Sequence, residues 1–252
     1  KAATAQAFAD PEPPLNNDAP RYKEYIDAIA TERSVADRLR QYGSFLPLLL
    51  RGALITLEIS AVSMALAIGI GLMLAVIRVF GPRLAVWAVI GFIEVIRGTP
   101  LLIQLFIIFY GLPAIGIRLS PFLAAVIGLA INYAAYEAEN YRAGIESIPK
   151  GQLVAALALG LTRVQTIRKI ILPQAVRLVI PPVTNDFIAL LKDSSLVSML
   201  TVVELTKQTQ IFATNIGSWV IPGLLCALLY LAMSLPLGYL ARRLEERWRM
   251  PT

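Results

Sequence analysis

Apolar runs too long for a chain of this size to bury in water constrain this sequence most. From Ala53 to Phe80 the residues are almost unbroken Ile, Leu, Val, Ala, Met and Gly; further runs cover Leu84–Leu112, Phe122–Ala135, Gln174–Leu200 and Trp219–Leu240. A helix rises about 1.5 Å per residue, so roughly 20 such residues cross a hydrocarbon core of about 30 Å. The expected fold class is therefore an all-α membrane protein with about five transmembrane helices. Composition agrees: 57% of residues are hydrophobic and 16% charged, with a mean hydropathy of +0.66.

The chain is basic, with 23 Lys and Arg against 17 Asp and Glu and a net charge of +6. The basic residues cluster at the ends of apolar runs, so they anchor and orient helices and do not imply nucleic acid. One side collects Arg78, Arg83, Arg142, Lys150, Arg163, Arg168, Lys169, Arg177 and a tail with Arg242, Arg243, Arg247 and Arg249; the other has Arg118 and Lys207. Positive-inside logic places the first set and the C-terminus in the cytoplasm, and five crossings then place the N-terminus outside. With no histidine and the single Cys226, structural disulfides, His-ligated zinc and Ser-His-Asp catalysis are excluded within the chain. No metal-ligand set or nucleophile–base pair can be assembled, and no G-x-x-x-x-G-K-[ST] phosphate loop occurs, so any ATP hydrolysis would have to come from a partner.

Polar residues interrupt the spans at definite places. Glu58 in the first span is expected to face the protein interior, as a structural pair or in a substrate path, because a carboxylate in lipid costs about 2.5–3.5 kcal/mol. Ala61, Ala65 and Gly69 stand four apart, which suits close approach of another helix. Glu94 and Arg97 are spaced to pair on one helix, and Gly98 and Pro100 then break it. Gln104 follows the break and is expected to face a cavity, since broken transmembrane helices tend to line one. Ser120-Pro121 starts the third span, whose polar far end (Asn132, Glu137, Glu139, Asn140, Arg142) is expected to reach solvent. In the fourth span Pro181-Pro182 is followed at once by Thr184, Asn185 and Asp186. Lys192 and Asp193 can neutralise each other, and Ser194 or Ser195 can cap the next turn of helix.

Between the third and fourth spans lies the one long polar-and-basic passage, Ser147 to Pro173. Ser147 can cap a first helix with Pro149 in its opening turn, Gly160 suits a left-handed stop, and Thr162 with Gln165 forms a capping box for a second helix. Two short helices meeting at a corner make a docking surface.

The spacing Ala155-Ala156, Gly160, Ile170, Leu172-Pro173 resembles the EAA signature, E-A-A-x3-G-x9-I-x-L-P, of bacterial ABC importer permease subunits, with Val154 at the position of the motif's Glu. The segments RGTPLL from Arg97, AYEAE from Ala135 with RAGI from Arg142, and LKDSSL from Leu191 are similar to the polar-amino-acid branch that includes histidine, glutamine and arginine importers; the resemblance spans about Phe45 to Met250. It implies a type I importer permease fold over residues 45–252 with a cytoplasmic coupling helix. Contact with the ATPase would fall to Gln152, Val154, Ala155, Ala156, Leu157 and Gly160. It also implies two ATP-binding subunits that carry the ATP and magnesium, a second permease copy or related permease, an extracytoplasmic solute-binding protein or domain, and residence in the bacterial inner membrane. No cofactor is expected on this chain itself. For a zwitterionic substrate, Asp186 is the expected ammonium partner, with helix capping its alternative role; Asn185, Gln104 and Ser195 are candidate neutral donors and Glu58 a further acid. Acids facing the cavity lean toward basic substrates. Residues 1–44 are expected to be a linker followed by an amphipathic helix on the outer membrane surface or in a neighbouring domain, in keeping with a solute-binding domain fused ahead of Lys1. An ion-coupled secondary transporter or channel also uses broken helices, but does not predict the corner.

Overall fold

The computed structural model describes residues 35–248. Two compact units divide the chain at Pro47/Leu48. Of the first, residues 35–47 are described and are helical; most of the expected surface helix, Arg21–Arg40, lies outside the described residues.

The described residues are helical throughout their ordered elements. Helix α1 runs Val35–Phe80, α2 Arg83–Arg97 and α3 Leu101–Phe106, which continues through a π turn (Ile107–Gly111) and a 3₁₀ turn (Leu112–Ile115). Helix α4 is Pro121–Glu146, α5 Lys150–Ala158 and α6 Arg163–Thr166. A π turn, Ile167–Ile171, joins α6 to α7, Leu172–Asp193; a 3₁₀ turn (Ser194–Leu200), α8 (Leu205–Ile216) and α9 (Val220–Trp248) complete the order. Three segments, Gly43–Phe80, Pro121–Glu146 and Val220–Arg243, are long and apolar enough to cross a membrane, and α2 with the α3 segment makes a fourth, bent by 103°. Helix α7 has 22 residues, enough to cross, but carries Arg177, Asp186, Lys192 and Asp193.

Helix α4 is the hub. In its apolar window 67% is buried, against 44% for α1 and 6% for α9. Ile59, Leu105, Leu129, Val197 and Leu200 close one core cluster around it, Met64, Tyr133 and Leu190 a second, and Leu74, Val89, Ile93 and Ala138 a third. Two glycines of α1 set the approach. A side chain at Gly52 would meet the Leu205 backbone at 3.0 Å, and one at Gly71 the Cβ of Glu137 at 2.6 Å. Glu204 locks the far end: fully buried, it accepts from the Thr206 and Lys207 amides at 2.8 Å, from the Thr56 hydroxyl and from the Tyr230 hydroxyl. One N-cap carboxylate thus ties α1, α8 and α9 together.

Several local expectations are corrected. Ala61, Ala65 and Gly69 lie on the exposed side of α1, and so does Glu58, because Thr56, Ile59, Ser60 and Ser63 occupy the inward face. Glu94 and Arg97 do not pair; the Arg97 guanidinium lies 5.2 Å from the centre of the Tyr136 ring instead. Nor do Lys192 and Asp193, since Asp193 accepts from the Tyr133 hydroxyl at 2.7 Å. The polar end of α4 stays inside: Asn132 and Glu137 are buried, while Glu139 pairs with Arg78 of α1 and with Arg142, which also pairs with Glu146. Ser147 closes α4, donating to the Gly144 carbonyl at 2.9 Å, and Pro149 takes the cap position of α5. The segment Thr201–Gly217, between the last two apolar runs, contains α8.

Candidate functional site

The corner is built by three local devices. Helix α5 ends in a Schellman motif: Leu161 N–H donates to Ala156 O at 3.1 Å and Gly160 N–H to Leu157 O at 3.0 Å, with Gly160 at φ +84. Open space surrounds the Gly160 Cα, so glycine is required there by the backbone and not by crowding. Thr162 starts α6 with a full capping box, its hydroxyl accepting from Gln165 N–H at 3.2 Å while the Gln165 side chain accepts from Thr162 N–H at 2.9 Å. Gln152 and Gln174 exchange two side-chain hydrogen bonds, 2.7 and 3.2 Å, bracing α5 against α7.

Helix α6 does not stop as a short helix. It runs on through the π turn into α7, where Leu172 N–H bonds to Ile167 O; the widened turn accommodates Pro173, which has no N–H to give. Arg163 to Asp193 is one rod. The two prolines inside it free carbonyls without breaking it, and Thr184 donates to Ile180 O at 2.8 Å. On the corner's outer side Val154 is 66% exposed, Leu159 84% and Val164 73%, with Ala155 and Leu157 also exposed. Ala156 is buried beneath them. Large aliphatic side chains on a helical turn flanked by Lys150, Arg163, Arg168 and Lys169 form a contact surface.

At the other end of the rod is a cavity of about 510 Å³, lined by the Gly98–Leu101 break together with Arg97, Asn132, Tyr133, Tyr136, Asp186 and Asp193. That volume suits a small ligand. Helices α4 and α7 run beside it as a ladder: Tyr133 donates to Asp193, and Asn140 to Asp186 at 2.8 Å. Nearer the corner, α4 and α7 touch so closely at Gly144 that a side chain there would meet Val179 at 2.4 Å.

Of the candidate path residues, the structure brings Asp186 to this cavity. Gln104 is buried behind the break. Its amide donates to the Ile96 carbonyl (2.7 Å), the Thr99 carbonyl (3.2 Å) and the Thr99 hydroxyl (2.8 Å), while its oxygen accepts from Asn132 at 3.0 Å. It satisfies the carbonyls that the break releases. Asn185 faces the other way, into a crevice of about 290 Å³ between α7 and α9 that Arg242 also lines. Ser195 is half-buried in the 3₁₀ turn and Glu58 is exposed; neither lines the cavity. Arg97, Asn132, Tyr133, Tyr136 and Asp193 were missed as lining residues. The available signal was the break itself, which exposes whatever flanks it and whatever stands opposite.

A polytopic helical protein with a cavity at a broken helix, joined by one continuous helix to an exposed helical corner, has the architecture of a transport subunit. Residues 67–250 match the model of the family described as binding-protein-dependent transport system inner membrane component, and the chain belongs to that family. It is 43% identical over 208 residues to the glutamine transport system permease protein GlnP of Escherichia coli K12, covering 81% of this chain and 94% of that one. To the L-cystine transport system permease protein TcyB of Bacillus subtilis it is 39% identical over 205 residues, 81% of this chain and 88% of that one. Among solved structures, one described as an amino acid ABC transporter with histidines superposes with a TM-score of 0.79 at 35% identity, over 82% of this chain and 96% of that one. An inward-facing methionine ABC transporter, MetNI, shares the fold with a TM-score of 0.70 at 22% identity, over 82% and 99%. The protein is a permease subunit of the amino-acid ABC importers.

Proposed function

We propose that this subunit carries a polar amino acid by alternating access, driven by a partner ATPase that grips the corner. The observation that carries this reading is the continuity of Arg163–Asp193: corner and cavity wall are parts of one helix, so displacement at Thr162 reaches Asp186 without an intervening hinge. Val154, Ala155, Leu157 and Gly160 supply the contact surface, Ala156 packs it, and Gln152 keeps α5 in register with α7. Magnesium and ATP would be held by the partner. Two permease subunits with two ATPases and an extracytoplasmic solute-binding protein make up the working assembly, with corner and C-terminus cytoplasmic and the N-terminus outside.

In the cavity Arg97 meets the substrate carboxylate and Asp186 its ammonium, with Tyr136 under the guanidinium holding it in place. Co-purification with an ATP-binding subunit, followed by substrate-stimulated ATPase assay in proteoliposomes, tests the reading. Gly160→Glu should abolish stimulation while the complex still assembles, and Asp186→Ala should abolish uptake. Stimulation that survives Gly160→Glu, or a chain that transports with no ATPase attached, would refute it; the latter is what a secondary transporter would give.

A further inference from the structure

Helix α9 ends its span with a cation turned inward. Val220–Arg243 is an apolar segment of 24 residues, and Arg242 is the last but one of them. An arginine at the end of a span ordinarily extends toward water. Helical side chains lean toward the N-terminus, however, and in α9 that direction is the membrane interior. Arg242 follows it: Nη1 folds back over Gly238, where a Cβ would stand 3.7 Å away. The guanidinium thus lines the crevice of about 290 Å³ between α7 and α9. Pro181, Asn185 and Ile188 form one wall, and Ser234 and Leu235 stand beside Arg242 on the other. No Asp or Glu lines this crevice. Among the described residues neither the Arg242 guanidinium nor the Asn185 amide has a hydrogen-bond or ion-pair partner. Asp186, next to Asn185, faces the cavity and accepts from Asn140.

An unpaired guanidinium beside a free amide calls for an anion with several acceptor oxygens. The surroundings say which kind. Ile188 and Leu235 complete the crevice, and α9 continues from it as an apolar strip on which Leu228 and Leu231 are half exposed. Only 6% of the apolar window of α9 is buried against the rest of the chain. A free anion would have to leave water for this lining, whereas an anionic lipid brings its own chains to cover it. We propose that the crevice holds the headgroup of an anionic glycerophospholipid. Arg242 pairs with the phosphate, Asn185 donates to its ester oxygens, and an acyl chain lies along Leu235 and Leu231. Gly238 belongs to the site, because a large side chain there would take the space into which Arg242 folds. Since Asn185 and Asp186 are adjacent, the lipid touches α7 at the level where its other side walls the cavity.

The test is titration of the purified permease–ATPase complex in detergent with dioleoyl phosphatidylglycerol and, separately, dioleoyl phosphatidylcholine, with bound lipid counted by native mass spectrometry. Matched chains cancel the apolar contribution. Phosphatidylglycerol should bind about fivefold or more tightly than phosphatidylcholine, the gain expected of one cation at an anionic headgroup. Arg242→Gln should remove that preference. Arg243→Gln should keep it, because the Arg243 guanidinium lies 4.6 Å from the centre of the Tyr239 ring and does not line the crevice. Gly238→Leu retains every charge but fills the crevice, and should remove the preference as Arg242→Gln does. Equal binding of the two lipids by the unmodified complex, as when a second permease copy seals the crevice, overturns the proposal. So does an equal loss in Arg242→Gln and Arg243→Gln, the mark of diffuse attraction to a basic tail. Inorganic phosphate that competes as well as phosphatidylglycerol would make this a free-anion site and overturn the lipid assignment. If Arg242→Gln does not assemble, the comparison of Gly238→Leu with Arg243→Gln decides.

Discussion

Gly69 and Gly71 are two residues apart on one helix and have opposite duties. Around Gly69 there is open space, whereas a methyl group at Gly71 would press on Glu137 Cβ and on the Ala134 carbonyl. Gly71→Ala is expected to destabilise the purified complex by about 1–3 kcal/mol through overpacking, read as a fall in thermal unfolding temperature in detergent, while Gly69→Ala leaves it unchanged or slightly raised. Gln104→Ala should cost a similar amount, about 1–3 kcal/mol, because the Ile96 and Thr99 carbonyls and the buried Asn132 amide would lose their partner; Gln104→Glu should not rescue it, since a carboxylate cannot donate to those carbonyls. The sequence marked Gln104 but not Gly71, and could not assign the work of either. Small residues four apart pointed to Ala61, Ala65 and Gly69, yet which face of α1 is buried depends on where α4 lies. Gln104 after a Gly-Thr-Pro break was legible as a polar residue at a break. That it folds back to close the break depends on the 103° turn, which no local pattern encodes.

Helix termini were the most legible elements, because capping is decided within four or five residues. Gly160 at positive φ and the Thr162–Gln165 box both stand where their spacing put them. What local rules misjudged was continuation: the corner's second helix and the run from Gln174 read as separate, but a proline in the first turn of a helix that follows a π turn interrupts little. The resulting rod makes a prediction about elements. Replacing Ile170 and Ile171 by glycine adds about 1 kcal/mol of helix cost per residue at the π turn, leaving corner and cavity intact but softening the link between them. Basal ATPase activity of the complex should persist while amino acid carried per ATP falls severalfold in proteoliposomes; an unchanged ratio would show that motion reaches the cavity by another route. The charge chain Arg78–Glu139–Arg142–Glu146 offers one, because it ties the end of α1 to the last turn before the corner.

At the scale of the molecule, long apolar runs declared a membrane protein, and the count of basic residues proposes a direction for it. The run Gln174–Leu200 reads as a crossing, yet α7, of full crossing length, carries Arg177, Asp186, Lys192 and Asp193, two of which line the cavity, and so falls short in apolar character. Function and span prediction compete for the same residues there. The direction itself can be measured with the chain's own composition. Cys226, half-buried in α9, is the single cysteine, so Cys226→Ala provides a background free of thiols. On it, Ala155→Cys in the corner and Ala114→Cys in the 3₁₀ segment place one exposed thiol at each proposed face. A membrane-impermeant maleimide added to intact spheroplasts should label the thiol at 114 and spare that at 155, and the pattern should reverse in inside-out vesicles. At 155, added ATP-binding subunit should protect the thiol in those vesicles, since the corner is then covered. Labelling at 155 from outside would invert the topology and leave the corner with no cytoplasmic motor to meet.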